Sequence, residues 1–365
     1  MSDLIYNVGN ILHIKANKKE QGAPSTITIK VFKFGVKNVG QSSPTLTRIS
    51  GDTSAYIPTQ ADMTNFFVAD TDVSDSLGNH FVKLKKFYVS ITEESDGALT
   101  YKVAHTKLDD TFFLNPYFKD KDGNEIDYAY YGKYKGNVSS SKLRSVSGVS
   151  PTYSTTIDNY RTYARNNGAQ YHQTDWCAVF TAQIMLMCVY ATTQATNILT
   201  YRSYGSKTGS GTQILGIEDI IGNGYEDVDG VVFRSGSKLA ESSVSWADKI
   251  SDYARGITTN QTTLTGATGS SGDYISKMYY VSGKPALSIF PKALSGSSST
   301  YYCDCFYFNS SKSPNLSRWG ARNATMTTGS SVCTAPARGP ARAAASALGS
   351  IVKYWGRGLA NVDKL

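Results

Sequence analysis

Nowhere in the 365 residues does an apolar run approach the roughly twenty positions a membrane helix needs, and no apolar leader stands at the N-terminus. The sequence therefore predicts a soluble chain with no membrane span and no secretory cleavage, either cytosolic or released by lysis. Charge is also scarce, at 18% Asp, Glu, Lys and Arg, which argues against a helical bundle. The five cysteines, Cys177, Cys188, Cys303, Cys305 and Cys333, are odd in number and contain no C-x-x-C pair. Neither a disulfide scaffold nor a zinc knuckle is expected, and Cys177 and Cys188 read as core filling. Histidine occurs four times and ends at His172. The stretch DKDGNEIDYAYY (120–131) lacks the closing Glu of a calcium loop. No metal and no cofactor are expected.

What is plentiful is Thr, Ser, Tyr and Gly, a composition suited to strands and turns. STITIKVFKFGV (25–36) alternates as a half-buried strand with one slip. FVKLKKFYVSI (81–91) reads as another, ended by EESDG, with 98–103 pairing back across that turn. YAYYGKY (128–134) is a third strand, heavy in aromatics that pack rather than bind, and GNVSSSKLRSVSGVSP (136–151) reads as a loop. A helix is predicted over 155–167, capped by Thr156 or Asp158, burying Ile157, Tyr160, Tyr163 and Ala164, and stopped by Gly168. The stronger helix runs over 175–193 behind Asp175 and is apolar on most of its circumference, as a buried helix must be. Short strands follow at 279–280, 286–290 and 301–308, where alternation puts Cys303 and Cys305 on one face as two small buried thiols. Two adjacent helices among short strands give an α+β fold.

Between helices and C-terminal strands lies GTQILGIEDIIGNGYEDVDGVVF (211–233). Its apolar runs are too short for a helix, and its glycines let the backbone take positive φ while short acids cap the turns. An irregular, internally bonded core loop is expected, carried by Gly216, Glu218, Asp219, Gly222, Asn223, Tyr225, Glu226, Asp229 and Gly230.

From Lys312 to Leu365 there are eight Lys or Arg against the single Asp363, a net +7 beside the chain's +8. Alone, such a segment suits a basic nucleic-acid tail. It is not a charge block, however, and it carries Trp319 and Trp355 near its ends, so a segment anchored at both ends with displayed loops between is the better reading.

With these residues in hand, the chain resembles the variable proteins of diversity-generating retroelements, many encoded by phages or other viruses. They belong to the formylglycine-generating-enzyme-like branch of the C-type lectin fold. The resemblance rests on GNHFVKLKKFY (78–88), FLNPYFKDKDGNEIDYAYYGKY (113–134), SVSGVSPT (145–152), the helix pair, LGIEDIIGNGYEDVDG (215–230), RWGARNATMTTGSSVC (318–333) and GRGL (356–359). The order of the pieces matches as well as their content. Two departures stand out: Asp227 holds a place that is often aromatic, with Tyr225 before the acid as expected, and the C-terminal segment is rich in Ala and Arg.

The resemblance implies a C-type-lectin-like domain over 78–365, preceded by a small β module for attachment or oligomerisation over 1–77. It implies no catalysis, but recognition of a protein or glycan on a target cell by a variable segment near 318–355. The display residues it implies are Arg322, Asn323, Thr325, Met326, Thr328, Ser330, Val332, Thr334, Arg338, Arg342, Lys353 and Tyr354. A place on a virion beside other structural proteins follows, or a cytoplasmic or cell-surface place in a cellular host, and a homo-oligomer fits multivalent display. Two other functions remain open. One is a formylglycine-generating cysteine oxidase using Cys303, Cys305 or Cys333, although no histidine follows them. The other is nucleic-acid binding through the basic segment, which lacks the aromatic-basic interleaving and the helix-turn-helix or zinc spacing of known readers.

Overall fold

The computed structural model describes residues 33–50, 57–120, 123–153, 157–194, 206–220 and 226–234, together with the further strands named here and a few single positions. First come β1 (Leu4–Val8), β2 (Ile11–Lys15), β3 (Thr26–Lys30), β4 (Lys33–Val39) and β5 (Thr47–Ser50). Helix α1 (Gln60–Phe67) runs into β6 (Val68–Ser74), followed by β7 (His80–Lys85), β8 (Tyr88–Glu93), β9 (Leu99–Ala104) and β10 (Phe113–Leu114). Next are β11 (Tyr128–Gly132), the hairpin β12 (Asn137–Ser139) and β13 (Lys142–Arg144), α2 (Ile157–Arg165), β14 (Tyr171–Gln173) and α3 (Trp176–Tyr190). Then follow β15 (Gln213–Ile214), β16 (Ile217–Glu218), β17 (Glu226–Arg234) and β18 (Lys238–Glu241). The last third contributes β19 (Asp273–Tyr274), β20 (Lys277–Met278), β21 (Pro291–Ala293), β22 (Cys305–Phe306), β23 (Asn315–Trp319) and β24 (Ile351–Tyr354).

The described residues form a mixed α+β fold with three helices and several antiparallel sheets. Two sheets of five strands dominate, one ordered β10-β8-β9-β4-β5 and the other β14-β24-β11-β7-β6. A single apolar cluster joins them: Val36, Val89, Tyr101 and Val103 from the first, Val82, Leu84, Ala129 and Tyr131 from the second, and most of α3 from Ala178 to Val189. Each large apolar side chain fully buried here contributes about 1.5–3 kcal/mol.

Helix α3 is the one expected at 175–193. The Asp175 side chain accepts from Ala178 N at 2.8 Å, as an N-cap should. The helix stops when Ala191 turns left-handed at φ 52°, and Arg48 from β5 donates to the carbonyls of Cys188 and Val189 in its last turn. Helix α2 buries Tyr160 and Ala164 against Phe81, Tyr130, Leu143 and Tyr171, a smaller cluster on the second sheet. Beyond it Asn167 Nδ2 donates to the carbonyls of Leu143, Tyr163 and Ala164, and Gly168 N to Arg165 O, before Gly168 at φ 141° redirects the chain.

Four local expectations need correction. The strand expected at 81–91 is two strands in different sheets. At the break Lys86 N donates to Asp127 O, Lys86 Nζ pairs with Glu125 and Asp127, and Phe87 turns into the core. The strand expected at 25–36 likewise divides, β3 pairing with β2 and β4 with β5 and β9. The loop expected at 136–151 holds the hairpin β12–β13, turned by Ser140 and Ser141 at φ 50° and 56°, a conformation that usually advertises itself with Asn or Gly. Helix α1 was not expected at all, although its capping box is in the sequence: Thr59 Oγ1 accepts from Asp62 N, and Asp62 Oδ2 accepts from Thr59 N. The hairpin of β8 and β9, by contrast, lies where the alternation put it.

The division at 77/78 falls in the turn between β6 and β7, which pair with each other, and β4 and β5 share a sheet with β8 to β10. Strands β4, β5 and β6 thus share sheets with the later chain, and α1 shares its core. Of the strands before β7, β1, β2 and β3 form a separate three-stranded sheet. Of the C-terminal strands expected, 279–280 and 286–290 lie outside the described residues, and within 301–308 the strand β22 pairs with β19.

Two turns are built alike. In DSLGN (75–79), Asp75 N donates to Asn79 O, Gly78 N to Asp75 O, Asn79 N to Asp75 Oδ1 and Asn79 Nδ2 to Asp75 Oδ2. The same four bonds recur in DKDGN (120–124) among Asp120, Gly123 and Asn124. The glycine sits at φ 76° in one and 84° in the other, which explains its place in both pentapeptides.

Candidate ligand-binding face

Ten of the twelve residues expected to be displayed, from Arg322 to Arg342, lie outside the described residues. Their two flanks are described. On one side β23 pairs with β17, Trp319 standing opposite Glu226, Arg318 opposite Asp227 and Ser317 opposite Val228. On the other side β24 lies between β11 and β14 and pairs with both. Lys353 stands opposite Tyr130 and Tyr171, and Tyr354 opposite Ala129. Lys353 and Tyr354 therefore occupy a central strand of a five-stranded sheet and not a loop.

The core loop divides into two parts. Its second half is not irregular: Glu226, Asp229 and Gly230 belong to β17, nine residues long and paired on both edges. The valines and phenylalanine after Gly224 favour a strand. The register against β23 shifts between Val228 and Val232, so Asp229 and Gly230 fall in a bulge, a usual place for a strand glycine. Gly222, Asn223 and Tyr225 lie outside the described residues.

The first half is the bonded loop expected. Strands β15 and β16 pair around Leu215 at φ 55° and Gly216 at φ 83°. Ile214, Leu215, Ile217, Glu218, Asp219 and Ile220 are all buried. Both carboxylate oxygens of Glu218 stand 2.9 Å from Gly209 N, and Asp219 N donates to Thr212 O. The loop is tied outward as well. Glu218 N donates to Lys133 O, Lys133 N to His80 O, and His80 N to Ser145 O. Thr208 Oγ1 donates to Val146 O, and Gly148 N to Thr208 O. Four stretches far apart in sequence, around 79–80, 133, 145–149 and 208–219, are thereby joined in one hydrogen-bonded set.

Two polar clusters escaped the sequence reading. In the first, Asp72 on the edge strand β6 bridges two bases: Lys133 Nζ stands 2.8 Å from Oδ2, and His80 Nδ1 2.8 Å from Oδ1. Burial works to raise the Asp72 pKa, but the bonds from Lys133 and His80 outweigh it and hold the carboxyl below its ordinary value. Ser74 Oγ lies 3.2 Å from the same Nδ1 of His80. Ser, His and Asp are thus together, but serine and carboxylate share one ring nitrogen, and a relay needs them on opposite nitrogens. The arrangement ties strands together and does not activate a nucleophile.

The second cluster is centred on the Asp75 turn. Tyr171, buried on β14, donates to Asp75 Oδ2 at 2.6 Å. Arg144 Nε donates to Asn79 Oδ1 at 2.8 Å and its Nη2 to Leu77 O, while Ser145 N also reaches Asn79 Oδ1. Pattern alone could not have found these partners, since they meet across 65 to 96 positions.

Of the cysteines, Cys188 is buried and Cys177 partly so, both as free thiols. Burial pushes the Cys188 thiol up to about 12, so it stays protonated at neutral pH. Cys305 stands opposite Tyr274 in β22, and Cys303 and Cys333 lie outside the described residues. Among the described residues no group of three His, Cys, Asp or Glu could hold a metal ion, and no helix is long and apolar enough to cross a membrane. No protein-family model matches the chain, and no curated protein matches it.

Proposed function

We propose that the chain is a non-catalytic binding protein that displays a diversifiable surface between β23 and β24. It is of the type made as variable proteins by diversity-generating retroelements, on a C-type-lectin-like fold of the formylglycine-generating-enzyme type. One observation carries the reading: the segment 320–350 is held at both ends, by β23 against β17 and by β24 between β11 and β14. A segment clamped in this way can change its outward side chains at small cost, because exposed substitutions usually alter stability by less than about 0.5 kcal/mol. Further support comes from the stretches that carry the family resemblance, since those around 79–80, 133, 145–149 and 215–219 are bonded to one another as a scaffold for display would require.

The ligand of this reading is a protein or glycan on a target cell, engaged by a few aromatic and Arg side chains. Attachment, to a virion or to further copies of the chain, falls to β1–β3, because β4, β5 and β6 are part of the main sheets. Staining intact candidate host cells with the labelled chain tests the reading. Replacing Arg322, Asn323 and Arg338 together by Ala should abolish staining and move the melting temperature by about a degree or less. A triple variant that stains as well as the parent overturns it.

A further inference from the structure

One side of the clamp at β24 is β14, which is only three residues long. Among the described residues it lies at the edge of its sheet, pairing with β24 alone through Tyr171, His172 and Gln173. So short an edge strand cannot set its own register, and something else must hold it in place. Helix α3 follows directly at Trp176, and the Tyr171 hydroxyl adds a hold from across the sheet. It donates at 2.6 Å to Asp75, whose turn is locked by four further bonds to Leu77 and Asn79 and is continuous with β7, three strands away across the sheet. Asn79 is fully buried, and Arg144 and Ser145 hold it from a third direction.

We infer that Tyr171 and Asp75 are positioning residues for the display surface: their bond fixes β14 to the turn before β7, and β14 in turn fixes β24, the C-terminal anchor of 320–350. The inference rests on the proposed function for its purpose and on the geometry alone for its mechanism. Removing the hydroxyl leaves the ring packed with Phe81 and Leu143 but frees β14 to shift along β24. The structural result is a local loosening at one end of the displayed segment and not a general loss of stability.

Backbone amide exchange on the full chain tests this without any target. Tyr171→Phe and Asp75→Asn should each speed exchange at 351–354 and 171–173 by about tenfold, with α3 amides from 178 to 189 changed less than about twofold. Because Asp75→Asn removes the Tyr171 bond and disturbs the Asn79 Nδ2 bond as well, the double variant should exchange no faster than Asp75→Asn alone. Unchanged exchange at 351–354 overturns the inference, as does equal acceleration in α3, or losses that add in the double variant. If Tyr171→Phe does not fold, Asp75→Asn tests the same bond from the acceptor side; failure of both to fold also overturns it, by making the bond a requirement of the whole core. Should the exchange result hold while no cell is stained, the display reading fails and the positioning pair stands.

Discussion

A Cβ built on Gly216 would stand 2.9 Å from the Cβ of Thr71, closer than real side chains approach, and Gly216 is at φ 83°. The tip of the core loop is therefore seated directly on the edge strand β6. Substituting alanine brings both a left-handed strain of about 1–2 kcal/mol and a contact that must be relieved by moving a strand. We expect Gly216→Ala to lower unfolding free energy by at least about 2 kcal/mol in urea titration. A loss under about 0.5 kcal/mol would mean that loop and strand separate easily.

Glu218 closes the same loop on Gly209. A buried hydrogen-bonding group left unpaired costs about 1–3 kcal/mol, and Glu218 is buried with Gly209 N as its donor. Glu218→Ala should cost about that much and should make the chain newly sensitive to limited proteolysis near 206–212. Gly209 adds its own check. It sits at φ 95°, and a Cβ there would clash with Ser147 Oγ, so Gly209→Ala should open the same loop.

Acid should weaken the Asp75 cluster. Burial works against the charge on Asp75, but the bonds from Tyr171, Asn79 and Leu77 outweigh it and hold its carboxyl below the ordinary value. A carboxyl lowered on folding adds stability that is complete above its unfolded pKa, about 3.9, and is lost as pH falls through the folded one. The difference in local opening free energy at 171–173 between the parent chain and Asp75→Asn, read from amide exchange, should thus be full at pH 7 and shrink below about pH 4. A difference that stays constant to pH 2 would show that the carboxylate charge has no part in the bond.

Cys188 should resist alkylation in the native chain, because its thiol is pushed up to about 12 by burial within α3. Iodoacetamide at pH 8 should label it only after denaturant is added, as read by peptide mass. Rapid native labelling would show that α3 opens.

The sequence was most informative where one residue and its near neighbours determine the structure. Asp175 and the apolar run behind it specify α3, and the alternation around EESDG specifies the β8–β9 hairpin. The loop half with Gly216 and Glu218 was legible because glycine and buried acid each have a local use. Legibility ended where tertiary partners decide. Nothing local says that 81–91 must break at Lys86, since the cause is Glu125 and Asp127 some 40 positions on. Strand β17 was hidden by its own bulge, and the Ser140–Ser141 turn by residues that seldom take positive φ. The proposed display segment rests on the resemblance and lies outside the described residues. The placement of the strands that flank it, β23 and β24, depends on partners as much as 225 positions away, such as Ala129 for Tyr354.

The central claim concerns which residues are free to change, and sequencing measures it most directly. The gene should be read in many sister isolates, together with its flanking DNA. We expect a neighbouring reverse-transcriptase gene, a near-copy of the codons for 318–355 differing at adenines, and amino-acid changes concentrated between 322 and 342. Gly209, Gly216, Glu218, Asp75 and Tyr171 should be unchanged. Substitutions spread evenly along the gene, with no such copy beside it, would contradict the claim that this chain is built to display a diversified surface.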